Sequence, residues 1–195
     1  MDEVSKATYF SHSTAVIEDG SDIGEGTSVW HFAHVRVGAS IGRRCTLGKG
    51  VFVDANVQVG DDCKIQNGVS VYAGVTIENE VFVGPNVTFT NDRWPRAVSP
   101  TWKIENTLLR TGSSIGANAT IICGTTIGTF AMVGAGSVVV RDVEDFELVV
   151  GNPARHAGWV CRCGRICSRE SSRPETYDCK FHEISVEEPK EDQAQ

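Results

Sequence analysis

The chain has 195 residues, enough for one domain with an appendage, and its formal net charge is −7. Because binding a phosphate backbone requires clustered Lys and Arg, this charge excludes nucleic acid as the main partner. The start of the chain holds no apolar run typical of a signal peptide, and no stretch approaches the ~20 apolar residues of a membrane span. We therefore expect a cytoplasmic protein without a membrane partner.

A six-residue repeat dominates the chain from Ile17 onward. Every sixth residue up to Phe89 is large and apolar, and the residue two positions before each is small or β-branched. The pattern resumes at Ile115 and runs to Val139. A period of six fits neither an amphipathic helix nor a hairpin meander, whereas one short strand and one corner per hexad build a triangular prism. Eighteen such hexads, three per coil, predict an all-β parallel solenoid of about six coils.

The repeat is interrupted between Phe89 and Ile115, where 26 residues stand in place of six. We assign residues 90–112 to a loop insertion that leaves the prism. A long excursion from a strict solenoid is typical of a functional loop, and this one carries two tryptophans and several basic residues. The insertion is therefore predicted to help form a ligand site, with a loop that only contacts another subunit as the alternative.

Several motifs resemble those of nucleotide-sugar N-acetyltransferases in the hexapeptide-repeat family. They are Trp30-His31-Phe32, Lys64-Ile65-Gln66-Asn67, Phe89-Thr90-Asn91-Asp92 and Gly151-Asn152-Pro153-Ala154-Arg155, and the likeness covers roughly residues 8 to 160. The resemblance implies a left-handed β-helix, although parallel crossovers are nearly always right-handed. It also implies transfer of an acetyl group from acetyl-CoA to the 3-amino group of a UDP- or dTDP-linked amino sugar for surface polysaccharides. A homotrimer with acetyl-CoA between neighbouring prisms is implied as well.

The proposed reaction needs a neutral amine, a positioned carbonyl and a proton acceptor, but no enzyme nucleophile, because a thioester is already activated. Asn91 matches the family motif at the start of the insertion and is expected to orient the amine or to donate to the oxyanion. Asp92 is expected to hold the ammonium form or accept its proton. The alternative is that Asn91 and Asp92 only form an Asx turn. His31 suits proton transfer near neutral pH, although a surface histidine is more often just a satisfied polar group.

Substrate candidates come from a polar column and from the insertion. His31, Lys49 and Asn67 are eighteen residues apart and should lie in one column, which indicates a groove that faces a ligand. Gln66 and Asn67 are substrate-binding candidates by motif. Basic residues of the insertion are candidates for phosphates or a uronate carboxylate, with plain solvent exposure as the alternative. They are Arg96, Lys103 and Arg110.

The later coils supply the candidates for acetyl-CoA. Glycine there allows the backbone to approach a pantetheine arm closely. The candidates are Gly116, Ala117, Gly134 and Ala135, with Arg155 for a phosphate of CoA.

The seven cysteines fall into two groups. Cys45, Cys63 and Cys123 lie within the prism and are predicted to be core residues. The tail has a Cys-x-Cys pair, a gap and a Cys-x-x-His pair, an order similar to a small zinc ribbon, although Cys-x-x-Cys is the more usual spacing. We predict structural zinc held by Cys161, Cys163, Cys179 and His182, with Cys167 as the substitute ligand and a flexible tail of free thiols as the alternative.

These observations divide the chain into four parts. Residues 1–12 form a lead-in, 13–160 the β-helix domain, 161–183 a small zinc-ribbon-like appendage and 184–195 a disordered acidic tail.

Three other functions fit parts of the sequence. O-acetylation of a sugar or a small alcohol would use the same fold, but it usually needs a histidine base, here His31. A metalloenzyme like the γ-carbonic anhydrases needs three converging histidines, and only His31 and His34 lie in the regular coils. A purely structural solenoid would not need the insertion.

Overall fold

The computed structural model describes residues 9–98 and 100–179. The predicted acidic tail and His182 lie outside these ranges. Within them the chain consists of strands and turns, and it has no helix long and apolar enough to cross a membrane. The strands are β1 (Phe10–Ser11), β2 (Val16–Ile17), β3 (Asp22–Ile23), β4 (Ser28–Val29), β5 (His34–Val35), β6 (Ser40–Ile41), β7 (Thr46–Leu47), β8 (Phe52–Val53), β9 (Gln58–Val59), β10 (Lys64–Ile65), β11 (Ser70–Val71), β12 (Val75–Ile77), β13 (Phe82–Val83), β14 (Thr88–Phe89), β15 (Thr107–Leu109), β16 (Ser114–Ile115), β17 (Thr120–Ile121), β18 (Thr126–Ile127), β19 (Met132–Val133), β20 (Val138–Val139), β21 (Glu147–Val150), β22 (Arg155–Val160) and β23 (Ile166–Ser168).

Three parallel sheets form the faces of a prism. Face A stacks β1, β4, β7, β10, β13, β16, β19 and β21, face B stacks β2, β5, β8, β11, β14, β17 and β20, and face C stacks β3, β6, β9, β12, β15 and β18. Partners are eighteen residues apart in the regular part, since Lys64 pairs with both Thr46 and Phe82. The predicted all-β parallel solenoid is confirmed, and it agrees with the left-handed β-helix that the resemblance implies.

The prism is taller than the predicted six coils, because face A has eight parallel levels. The three faces together have 21 parallel strands against eighteen predicted hexads, so three strands lie outside the predicted repeat. Strand β1 lies inside the predicted lead-in, β15 lies inside the predicted insertion, and β21 pairs with β19 at a spacing of sixteen residues (Met132 with Leu148).

The insertion is shorter than 90–112. Strand β15 pairs with β12, so the chain is outside the prism only from 90 to 106. Leu109 and Thr107 are both buried and occupy the large and small positions of the repeat, one hexad before the predicted restart. The pair Phe82 and Ser114 is 32 residues apart rather than eighteen, so the insertion adds fourteen residues to one coil.

The two ends of the prism domain also differ from the predicted boundaries. Strand β1 belongs to the first coil, because Phe10 donates a backbone hydrogen bond to Thr27 at 2.9 Å. At the other end, β22 pairs antiparallel with β21 and β23 pairs antiparallel with β22. The segment from Cys161 onward therefore begins as a continuation of face A, and is not separate from the prism.

The inward side chains form one continuous core, and the cysteines predicted to lie there do so. Cys45, Cys63 and Cys123 are at most 1% exposed. The thiols of Cys45 and Cys63 donate to the carbonyls of Gly60 and Glu78 at 3.1 and 3.0 Å. The neighbouring Cys45 thiol and burial together raise the pKa of Cys63, so this thiol stays protonated and unreactive.

Many inward residues are followed by a glycine, and the close approach of the next coil's backbone leaves no room for a side chain there. A Cβ on Gly42 would lie 2.5 Å from the carbonyl carbon of Gly60, and a Cβ on Gly24 would lie 2.5 Å from that of Gly42. Only glycine permits this approach, which keeps successive coils at the spacing of about 4.8 Å that parallel pairing needs.

Ile65→Ala should destabilise the fold strongly, because Ile65 is 0% exposed at the centre of the stack. We expect a loss of about 2–5 kcal/mol, made up of lost apolar burial and the cavity left behind. Urea unfolding followed by circular dichroism measures it. Lys64→Ala on the same strand is the control, since Lys64 points outward and its loss should cost less than about 0.5 kcal/mol. Similar unfolding midpoints for the two variants would contradict the inward stack.

Candidate active site

The predicted polar column lies on the corner between faces A and B, called here edge AB. Successive corners are joined by backbone hydrogen bonds. Gly50 donates to His31 at 2.9 Å, Gly68 donates to Lys49 at 2.9 Å, and Asn86 donates to the carbonyl of Asn67 at 3.0 Å. His31, Lys49 and Asn67 therefore stack as the eighteen-residue spacing predicts.

A groove of about 260 Å³ runs along this part of edge AB. Its walls contain both polar side chains and glycine backbone, so it offers hydrogen-bonding groups to a ligand. The lining residues are Trp30, His31, Thr46, Gly48, Lys49, Gln66 and Asn67.

His31 lies in a group of exposed aromatic rings at the lower end of the groove. Its ring stacks on His12 with centroids 3.5 Å apart, and it is parallel to Trp30 at 6.2 Å. Phe32 is 62% exposed and has a φ of 57°, a conformation that costs an aromatic residue free energy. The same corner is left-handed at Gly50, Gly68 and Asn86, so the conformation belongs to the repeat, whereas the exposed apolar ring is particular to Phe32 and offers a contact surface.

Asn67 has a structural role that the motif did not reveal. Its Oδ1 accepts the backbone N–H of Lys49 at 2.8 Å. Asn79 does the same for Asp61 on the corner between faces C and A, at 2.8 Å. Asn67 therefore uses its oxygen to hold the corner, which leaves the Nδ2 group as the part that can serve a ligand.

The residues predicted to contact acetyl-CoA continue edge AB upward. Asn118 donates to Pro85 at 2.9 Å and Gly136 donates to Ala117 at 2.8 Å, so Ala117 and Ala135 stack above Asn67. The glycine at 116 has a structural explanation, because its Cβ would lie 2.4 Å from the nitrogen of Ala135.

Gly134 and Arg155 lie at the top of the same side of the prism. A Cβ on Gly134 would lie 2.7 Å from a methyl group of Val150, so this position also serves the stacking of coils. Arg155 is exposed at the start of β22, and its Nη1 donates to the carbonyl of Ala154 at 3.0 Å.

Asn91 and Asp92 lie together on the corner between faces B and C, called edge BC. The Nδ2 of half-buried Asn91 donates to the carbonyl of Ala73 at 3.3 Å. Asp92 Oδ1 accepts the backbone N–H of Trp94 at 2.9 Å, which is the Asx turn that the sequence analysis gave as an alternative. The turn and the Asn91 contact together fix the start of the insertion.

Sequence reasoning missed Glu105 as a neighbour of Asn91. The backbone N–H of Glu105 donates to the carbonyl of Asn91 at 3.1 Å and closes the base of the loop. Its half-buried carboxylate lies 4.0 Å from the thiol of Cys123. No pattern in the sequence predicts this contact, because the path of the loop is independent of the repeat.

The basic and apolar residues of the insertion are exposed. Arg96 bonds only to the adjacent carbonyl of Pro95 at 2.8 Å among the described contacts, and Lys103 is also exposed. Trp94 is 77% exposed and Trp102 is 54% exposed. The outer part of the loop therefore presents cations and aromatic rings on one exposed segment.

His31 and Asn91 are not brought together within one chain. They lie on different edges, and β5, which follows His31, is three levels below β14, which precedes Asn91. Three levels correspond to about 14 Å along the prism axis. One chain therefore cannot bring both residues to the same reacting atom.

The predicted zinc ligands are brought together in part. The thiols of Cys161, Cys163 and Cys179 lie within 4.8 Å of one another, and His182 is outside the described residues. The substitute ligand Cys167 points elsewhere, because its thiol donates to the carbonyl of Trp159 at 3.3 Å.

Comparison with known proteins places the chain in a family. Residues 56–91 match the family described as bacterial transferase hexapeptide (six repeats). Residues 15–55, 38–73 and 112–141 match the hexapeptide repeat of succinyl-transferase. The chain is 43% identical, over 82% of each chain, to the dTDP-3-amino-3,6-dideoxy-alpha-D-galactopyranose 3-N-acetyltransferase of Aneurinibacillus thermoaerophilus. The chain belongs to the hexapeptide-repeat acetyltransferases.

Two solved structures resemble this acetyltransferase. One is a variant of the GDP-perosamine N-acetyltransferase of Caulobacter crescentus with CoA and GDP-perosamine, at 26% identity and a TM-score of 0.54. The match covers 77% of this chain and 58% of that one. The other is a hexapeptide-repeat acetyltransferase of Vibrio cholerae with acetyl coenzyme A, at 26% identity, a TM-score of 0.55, and coverage of 63% and 70%. Family membership makes the protein an acyltransferase and excludes the metalloenzyme and scaffold alternatives.

Replacing Asn67 tests whether this acetyltransferase uses it for more than the corner. Asn67→Ala and the matched control Asn79→Ala each remove one hydrogen bond to a corner, so each should cost about 1 kcal/mol of stability. If Nδ2 of Asn67 also binds the acceptor, we expect the KM for the acceptor to rise about tenfold in Asn67→Ala alone. Steady-state kinetics on both variants measure this, and equal KM values would confine Asn67 to its structural role.

Proposed function

We propose that this enzyme transfers the acetyl group of acetyl-CoA to the 3-amino group of a nucleotide-linked amino sugar. The observation that carries the proposal is the 43% identity, over 82% of both chains, to a 3-N-acetyltransferase that acts on a dTDP-linked sugar. That relative makes a dTDP-linked acceptor the first to test and a UDP-linked acceptor the second. Both co-substrates are intracellular metabolites, which is why a cytoplasmic location and a place in surface polysaccharide synthesis remain our expectation.

The chemistry requires positioning more than acid or base strength. The neutral amine forms a C–N bond to the thioester carbonyl, the C–S bond breaks, and the proton lost by nitrogen ends on the sulfur of CoA. The leaving thiolate can take up that proton, so no enzyme base has to be consumed.

Asn91 is suited to orient the amine. Because its Nδ2 already donates to Ala73, the side chain has a fixed direction. Its Oδ1 is then the atom that accepts a hydrogen bond from the amine and points the nitrogen lone pair at the carbonyl. This favours an orienting role over donation to the oxyanion, since one of the two N–H donors is engaged by Ala73 and the described contacts leave Oδ1 available. Asp92 and Glu105, on either side of the loop base, supply negative charge that attracts an aminated sugar.

We also propose that the active enzyme is a homotrimer and that each site lies between two prisms. Edge AB carries the groove of Gln66 and Asn67, whereas edge BC carries Asn91. A substrate that contacts both sets has to sit between two protomers, as the closed symmetry of a trimer allows. Exposed aromatic side chains on the insertion and around His31 supply apolar surface for such a contact.

Acetyl transfer is measured as release of CoA thiol with acetyl-CoA and a panel of dTDP- and UDP-linked 3-amino sugars. We expect release with an amino sugar, with the acetyl group located on nitrogen by mass spectrometry. Asn91→Ala should lower kcat/KM by about a hundredfold, because the orienting contact is lost. His31→Ala should lower it by less than about tenfold, because the thiolate takes the proton.

Two outcomes would change the assignment. Release with the matching 3-hydroxy sugars, abolished in His31→Ala, would favour the O-acetyltransferase alternative. Silence with every acceptor would overturn the proposed substrate class and leave the family membership intact.

Subunit mixing tests the location of the site. Gln66→Arg should fill the groove on edge AB, and Asn91→Ala should disable edge BC, so each variant alone should retain no more than about 1% of wild-type activity. Random trimers of the two, obtained by co-expression, would contain intact sites at one interface in four, or about 25% of wild-type activity. Activity at background level in the mixed trimers would place the whole site in one protomer. Light scattering should give three times the chain mass of 21.1 kDa.

A further inference from the structure

Two of the tail cysteines lie on a tight turn at the end of β22. The backbone N–H of Cys161 donates to the carbonyl of Arg165 at 2.9 Å, and Gly164 donates to the carbonyl of Cys161 at 2.8 Å. Gly164 has a φ of 79°, which glycine adopts at little cost. The turn therefore holds Cys161 and Cys163 close together, with Cys161 buried and Cys163 exposed.

A third cysteine is brought to this turn by an aromatic cluster. Tyr177 is 7% exposed and stacks on Phe146 with ring centroids 4.2 Å apart. Its hydroxyl accepts a hydrogen bond from Nε of Arg173 at 2.6 Å, and Trp159 packs beside it. Cys179 follows Tyr177 by two residues, so the cluster positions its thiol.

The three thiols are in mutual contact, and none of the described pairs is at the distance of a disulfide bond. The Sγ atoms of Cys161 and Cys163 are 3.0 Å apart, and those of Cys163 and Cys179 are 3.2 Å apart. A disulfide bond is about 2.05 Å long. Two sulfurs on one tetrahedral zinc ion, each about 2.3 Å from it, lie about 3.8 Å apart. A small outward movement of the exposed Cys163 would make room for an ion between the three.

We infer that Cys161, Cys163 and Cys179 hold a structural Zn²⁺ ion that fastens the C-terminal segment to the end of the prism. Thiolates are soft ligands, which excludes Mg²⁺ and Ca²⁺ as occupants and favours zinc. A structural zinc site has four protein ligands. The fourth ligand predicted from the sequence, His182, lies outside the described residues, and the thiol of the substitute ligand Cys167 is engaged by the carbonyl of Trp159.

The ion would stabilise a part of the chain that has little other support. After β23 the described residues contain no strand, and the side chain of Tyr177 is their main buried anchor. Phe130, Phe146 and Tyr177 stack in an aromatic cluster separate from the main core, on the corner between faces C and A. Zinc would keep Tyr177 over Phe146 and thereby hold the C-terminal segment against this corner. The site is on the hairpin of β22 and β23, outside both edges assigned to catalysis.

The test is the metal content of the untagged full-length protein, purified under reducing conditions. We expect about one zinc per chain in the wild type and in the control Cys167→Ser, and less than a tenth of that in Cys163→Ser. Cys163 is the best position to change because it is exposed, so folding should survive. His182→Ala should also lose the ion, whereas loss in Cys167→Ser instead would overturn the assignment of the fourth ligand.

Cobalt substitution and melting provide independent readouts. Co²⁺ should give thiolate charge-transfer absorption and the intense visible bands of tetrahedral coordination in the wild type, and lose them in Cys163→Ser. A chelator should lower the melting temperature of the wild type toward that of Cys163→Ser and leave the variant unchanged. The proposal is overturned if the wild type binds neither metal, whether its tail thiols are free or a disulfide joins two of them in mass spectrometry.

Discussion

The stacking of one coil on the next is the constraint on which the rest of the structure depends. Each coil has to place its large apolar residues above those of the coil before it. Its backbone also has to lie close enough to the corner of that coil to form hydrogen bonds with it. Gly42 shows how little room this leaves, since a single carbon added to it would overlap the next coil. Because the constraint repeats every eighteen residues, it also sorts the outward side chains into straight columns. The columns of side chains on edge AB and edge BC therefore arise from the packing of the coils, whether or not they contact a ligand.

In the proposed reaction, polar residues on the edges have two roles, one in the scaffold and one toward the ligand, and this origin explains why. The side-chain oxygen of Asn67 accepts a hydrogen bond at a corner, which leaves its amide nitrogen available to a ligand. The side-chain nitrogen of Asn91 donates to the carbonyl of Ala73, which leaves its oxygen available. In both cases the scaffold fixes the side chain in one direction, which is the preorganisation that an aminolysis depending on positioning requires. The same geometry separates His31 from Asn91, so distance along one prism, and not residue type, argues against a shared role within a protomer.

The repeat made most of the fold predictable, and its interruptions mark where prediction ended. Inward positions from Ile17 to Phe89 follow from a period of six, because each side of the prism has room for one large residue per level. The hexad containing Leu109 is not predictable from the repeat, since the loop before it has no period to signal its end. Strand β21 is not predictable either, because its pairing is spaced by sixteen residues. Contacts such as Glu105 with Asn91 depend on the path of a loop, which no periodicity encodes.

Two pairs of successive strands are not spaced by eighteen residues, and they lie at the features that distinguish this chain from a regular solenoid. A strictly periodic prism presents the same corner at every level, so it has no position where one substrate is preferred. The spacing of 32 residues between Phe82 and Ser114 creates the loop that begins at Asn91. The spacing of sixteen between Met132 and Leu148 leads face A into the antiparallel hairpin that carries the thiols. Two of the proposed functional features, the start of the loop at Asn91 and the three thiols, therefore lie where the stacking constraint is relaxed, whereas the groove on edge AB lies in the regular coils.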